Sequence, residues 1–154
     1  MFSRSFEVIW ADLDANAHMR HTAYMDYAAQ VRLAWLFEMG FSIERLNGAG
    51  VGPILFTETT SYRREVRGGE RIEVAMELVG LSENRKHWRI RQPILKVGPK
   101  QGGELAALVE VQGAWLDLRA RKVAAPPPEL LAAIELWPRA ADFALISPAK
   151  NPDK

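Results

Sequence analysis

Four side chains able to do chemistry fall within ten residues near the N-terminus: Asp12, Asp14, His18 and His21. A carboxylate held in a loop can attack a carbonyl carbon or take a proton from water, and an imidazole can move that proton near neutral pH. Either reaction also needs donors where charge builds on oxygen. The unpaired N–H groups at the start of a helix are such donors, and the helix dipole adds to them. A catalytic reading of this loop therefore requires a helix directly after it. Asx-rich loops also form turns that do no chemistry, and that reading stands beside the first. The third histidine, His87, has no metal-ligand spacing to the others, so a packing or surface role is expected.

The sequence supplies a helix at the required place. Tyr24 to Met39 contains no Gly or Pro, Thr22 is a plausible N-cap, and Gly40 is placed to end the helix in the left-handed conformation. Its few polar residues, among them Asp26, Gln30, Arg32 and Glu38, gather on no single face, which predicts a buried helix. Strands surround it in the chain order. Ser5 to Trp10 alternates with one apolar face, Pro53 to Val66 is Thr-rich, and Arg71 to Leu81 is the cleanest half-buried strand. Arg85 to Val97 alternates Trp88, Ile90 and Ile94 with cations, and Pro93 suggests an edge or a bulge. A turn is expected over Gly98 to Gly103. Glu104 to Leu118 reads as a long strand in which Gly113 marks a bend or a close backbone contact. The proline run at 126–128 starts a short helix, and a weakly ordered tail is expected from Pro138.

Composition narrows the class. The chain has 154 residues, 48% of them hydrophobic and 25% charged, enough for one domain with a real core. A formal net charge of +1 gives no field toward nucleic acid or membrane. With no cysteine, disulfides, thiolate nucleophiles and cysteine-held metals are excluded. No Walker loop or Gly-x-Ser-x-Gly occurs, and Gly48, Gly50 and Gly52 lack the strand and helix that a dinucleotide fingerprint needs. No signal-peptide core or membrane span is visible, so a cytoplasmic protein is expected.

The stretch from Trp10 to Tyr24, with two acids flanking one residue, then His18 and a tyrosine on the first helical turn, resembles the hotdog-fold acyl-CoA thioesterases. The resemblance is to the group of 4-hydroxybenzoyl-CoA thioesterase, its Tol–Pal-associated relatives and the acyl-carrier-protein thioesterases. Tyr62 to Ile72 and Trp115 to Pro128 are similar to that group's later strands, so the likeness runs from about Phe6 to Leu136. Two departures from the pattern stand out: Arg20-His21 replaces paired asparagines, and Glu65 stands where proline is common, a change expected to affect a strand edge rather than chemistry.

The resemblance implies an α+β hotdog fold, an antiparallel five-stranded sheet wrapped around one long buried helix, in a single domain over 1–137 with the tail at 138–154. It implies thioester hydrolysis, with Asp14 as nucleophile or general base and the His21 N–H as oxyanion donor. Asp12 would order the loop. Substrate contacts are expected from Asn16, His18, Thr22 and Tyr24, from Glu58 on the Thr-rich strand, and from Arg85 and Lys86 as partners for coenzyme A phosphates. No metal or cofactor is called for. The expected partners are acyl-CoA, or a carrier-protein thioester, and further copies of the chain in a homodimer or homotetramer. A non-catalytic acyl-binding protein is the alternative, and a hotdog dehydratase a more distant one, since Tyr24 to Met39 carries no histidine.

Overall fold

The computed structural model describes residues 1–98 and 103–147. Five long strands, β1 (Phe2–Glu7), β2 (Val51–Tyr62), β3 (Arg71–Leu81), β4 (His87–Val97) and β5 (Glu104–Asp117), lie in the order β1-β3-β4-β5-β2. Two further strands extend this sheet. β6 (Lys122–Val123) pairs antiparallel with β5, and β7 (Arg139–Leu145) pairs parallel with β3. The helices are α1 (His21–Glu38), α2 (Ile43–Gly48) and α3 (Pro128–Glu135). The chain packs as two compact units, one of Met1–Trp35, Thr59–Met76 and Arg91–Glu110, the other of Leu36–Glu58, Glu77–Ile90 and the chain from Val111 on.

In the first unit β1 runs antiparallel to β3 with Phe2 opposite Met76 and Glu7 opposite Arg71. Alternation on β3 buries Ile72, Val74 and Met76, as its sequence period requires. Helix α1 buries one stripe there, Ala23, Tyr24, Tyr27, Ala28, Val31 and Trp35, at helical spacing. Its other side, with Asp26, Ala29 and Gln30, is exposed, so the helix is buried along one face and not all round. Gln92 of β4 is fully buried and satisfied by α1: it donates to the Ala28 carbonyl at 2.8 Å and accepts from Arg32 at 2.7 Å.

In the second unit α1 stops as its sequence predicts. Gly40 has φ 81°, and the Phe41 and Gly40 N–H groups donate to the Leu36 and Phe37 carbonyls, closing a Schellman motif. Gly113 is a close contact: a Cβ there would lie 2.2 Å from the Ile54 carbonyl oxygen and 2.4 Å from the Trp88 ring. Pro128 opens α3 at its first position.

Several expectations change. The first strand ends at Glu7, and Trp10, expected on its apolar face, sits in a 3-10 turn over Trp10–Asp12 with 87% of its surface exposed. The Val8 main chain is held by Gly69 and Glu70, after which Asp12 N–H bonds back to Ile9 and the chain can no longer extend. Thr22 is not the N-cap, because α1 begins at His21 and Thr22 is already in its first turn; the helix thus opens on a histidine. Pro93 lies in β4 between β3 and β5, not at an edge, and burial of Trp88, Ile90 and Ile94 on that strand outweighs one lost ladder donor. The segment from Pro138, read as a weakly ordered tail, carries β7 at Arg139–Leu145, while its last residues, 148–154, lie outside the described residues. So does most of the turn expected over Gly98 to Gly103. Among the described residues no helix is long and apolar enough to cross a membrane.

Candidate active site

The Asp14 loop is a small hairpin within the first unit. Leu13 and Met19 form an antiparallel bridge; inside it, the Asp14 N–H donates to the His18 carbonyl at 2.8 Å and the Ala17 N–H to the Asp14 carbonyl at 3.1 Å. Three residues make the turn, and the last, Ala17, takes the left-handed conformation, φ 60°, that such loops demand. Asp14 Oδ1 accepts the N–H groups of Asn16 (2.8 Å) and His18 (3.1 Å). One oxygen thus forms the turn, while Oδ2 accepts from no described residue. The turn-forming and catalytic readings of Asp14 are therefore compatible.

Asp12 ties the loop to the helix. The Tyr27 hydroxyl donates to Asp12 Oδ2 at 2.5 Å, and burial, then this bond, push the Tyr27 phenol up to about 12. Arg20 reaches Asp12 Oδ1 at 3.5 Å and Asp26 at 3.1 Å, and also donates to the Thr22 hydroxyl. The Arg20 N–H closes onto the Asp12 carbonyl at 2.7 Å. In place of an asparagine, this arginine clips the loop to the first turns of α1.

A groove of about 400 Å³ runs beside the hairpin. Asp14, His18, Met19 and His21 contribute one group of lining residues, Tyr24 another, and Tyr62, Arg63, Arg64 and Glu65 the rest. At the first position of α1, the His21 N–H has no intrahelical acceptor, and His21 and Asp14 line the same groove. Tyr24 meets Tyr62 edge to face with centroids 5.2 Å apart, and burial, then the Tyr62 phenol, raise the Tyr24 phenol above its ordinary value. The N–H groups of Arg63 and Arg64 both bond to the Ala106 carbonyl, at 2.7 and 3.0 Å, the arrangement of a β-bulge. Among the described residues no group of three His, Asp or Glu side chains is arranged to hold a metal.

A family model describing the Thioesterase-like superfamily matches residues 8–134. The chain belongs to this superfamily. This thioester hydrolase shares its fold with a Staphylococcus aureus protein solved in complex with CoA (19% identity, TM-score 0.80, covering 97% of this chain and 89% of that one). It is similar also to the 1,4-dihydroxy-2-naphthoyl-CoA thioesterase of Synechocystis (17%, TM-score 0.76, 86% and 94%). A third similar structure is the BH1999 gentisyl-coenzyme A thioesterase (16%, TM-score 0.71, 84% and 98%). No curated protein matches the sequence. The hotdog fold expected from the sequence is the fold of this thioesterase.

Of the residues singled out from sequence, the thioesterase brings Asp14, His18, His21 and Tyr24 to one groove. Asn16 is exposed on the hairpin turn outside it, and Thr22 is half-buried under Arg20. Glu58, Arg85 and Lys86 belong to the second unit and do not line the groove. Arg85 is committed to Glu135 at 2.8 Å and to the turn carbonyls of Ser82 and Glu83. His87 packs on Phe56, ring centroids 6.2 Å apart, in line with its expected packing role. Glu65, expected to matter only to a strand edge, instead lines the groove of the thioesterase and lies 3.2 Å from His18. Arg63 was also overlooked. Its signal was its place beside Tyr62 in a polar block, but strict alternation gave no reason to aim Arg63, Arg64 and Glu65 at the same space.

Proposed function

We propose that this thioesterase hydrolyses an acyl-CoA, with Asp14 as the reacting carboxylate. One observation supports the reading: Asp14, of which the hairpin uses only one carboxylate oxygen, and His21, the first residue of α1, line one groove. Asp14 either attacks the thioester carbonyl carbon, expelling the CoA thiolate and leaving an anhydride for water to cleave, or takes a proton from water as that water attacks. In both, negative charge gathers on the carbonyl oxygen. The His21 N–H and the positive end of α1 stabilise it there. His18 and Tyr24 contact the substrate. The lack of cysteine accords with a cytoplasmic location.

The working form is a homodimer, or a pair of dimers. β2 ends the strand order and leaves Leu55 and Phe56 exposed, an apolar edge that a second copy would cover. Light scattering should show an assembly at micromolar concentration, and a stable monomer would refute this. A panel of short aliphatic, long aliphatic and aryl acyl-CoAs, with carrier-protein thioesters alongside, tests the activity by thiol release. Turnover of any member is expected; flat traces throughout would replace hydrolysis with a binding role.

A further inference from the structure

A second carboxylate touches the Asp14 loop. Glu65 Oε2 lies 3.2 Å from His18 Nε2, while Glu65 Oε1 accepts from Arg67 Nη2 at 2.9 Å. The two segments are joined through their main chains as well: His18 bridges Arg67, and the Met19 N–H donates to the Val66 carbonyl at 2.7 Å. From the other side, Lys96 donates to the Glu65 carbonyl at 3.0 Å and pairs with Glu70 at 3.0 Å. His18 in turn holds Asp14, its N–H lying 3.1 Å from Oδ1. A single residue thus engages both carboxylates, Asp14 by its main chain and Glu65 by its ring.

We propose that Glu65 is a positioning residue, acting through His18 to hold the Asp14 carboxylate toward the thioester; this rests on Asp14 being the reacting group. Arg67 fixes the Glu65 carboxylate, the carboxylate fixes the imidazole, and the fixed His18 main chain keeps Asp14 Oδ1 in its turn so that Oδ2 stays with the groove. The Arg67 hydrogen bond also holds the Glu65 carboxyl below its ordinary range, against desolvation, with His18 and Lys96 adding to it. As an exposed side chain Glu65 contributes little to folding. Its effect falls on rate, because a misplaced reacting group slows catalysis far more than the lost contact weakens the fold.

The test is a cycle of Glu65→Ala, His18→Ala and the double variant, with Glu65→Gln as a second, near-isosteric replacement. It is read by steady-state kinetics on the best acyl-CoA and by nitrogen-15 spectra of the histidine rings. Each Glu65 variant should lower kcat about tenfold or more with KM within about twofold. His18→Ala should lower kcat at least as far and also raise KM through its lost substrate contact, and the kcat of the double variant should be no worse than that of the worse single, as for residues that act as a unit. The His18 ring signal should move in both Glu65 variants. Glu65 variants with wild-type kcat, losses that multiply in the double variant, or an unmoved His18 signal would overturn the proposal. A wild-type protein inactive on every thioester would refute the hydrolytic reading instead, and the ring signal, read in the resting protein, would still decide whether Glu65 holds His18.

Discussion

The Tyr62 hydroxyl donates to the His21 carbonyl across 3.2 Å, tying the end of β2 to the first residue of α1. The same ring stands edge-on to Tyr24 inside the groove. The oxyanion donor proposed for the reaction is therefore braced by a residue 41 positions further along the chain. Tyr62→Phe keeps the ring contact and removes the brace. A partly exposed neutral hydrogen bond contributes about 1 kcal/mol, so the melting temperature should shift by only a few degrees while kcat falls about threefold to tenfold. Unchanged kcat would show that His21 needs no such support.

Asp14→Asn separates the turn from the chemistry. The amide oxygen can still accept from Asn16 and His18, so the hairpin should survive. The charge is lost, and kcat should fall by at least about 100-fold, the scale of a positioned acid–base group. Thiol release and a thermal melt on the same sample decide it: activity within a few-fold of wild type removes Asp14 from the mechanism. Asp12→Asn should be milder, because Tyr27 and Arg20 engage that side chain in holding the loop.

Gly113→Ala should be among the most damaging conservative changes in the chain. Its Cβ would meet both a main-chain oxygen and the buried Trp88 ring, neither of which can swing aside. Overpacking of this kind costs about 1–3 kcal/mol, and contact with backbone puts it at the upper end. A urea midpoint equal to wild type would contradict the packing described for this strand.

His87 makes stability depend on pH. Burial, and then the charge of Lys86, lower its imidazole from the ordinary value of 6.5, and Nδ1 is buried without a partner. The unfolded chain therefore binds a proton more readily than the folded one. The stabilisation is full above the unfolded value and is lost as pH falls from there through the lower folded value. Denaturation midpoints should decrease on going from neutral to mildly acidic buffer, and His87→Gln should flatten that decrease. Equal slopes in the two proteins would assign the effect elsewhere.

Much of this was readable in the residues. The strand period of Ile72, Val74 and Met76, the Gly40 stop and the close approach at Gly113 each follow from one local rule of geometry, and the structure obeys it. What escaped depended on contacts distant in sequence. Nothing local to Glu65 foretells a histidine 47 positions earlier, and nothing local to Trp10 shows that Val8 is captured by the turn at Gly69. β7 was missed because Arg139–Leu145 is only weakly apolar and gains its structure by pairing with β3.

The bulge at Ala106 has a consequence for how the groove can change. In a regular strand, adjacent side chains leave on opposite faces, so a binding wall is encoded at every second position. Here Tyr62, Arg63, Arg64 and Glu65 are consecutive and all reach the groove. That wall is therefore written in four adjacent codons, and within it Arg63 and Arg64 can be exchanged to alter the charge and shape of the groove while Tyr62 and Glu65 keep their contacts to His21 and His18 and the buried face of the sheet keeps every residue it has.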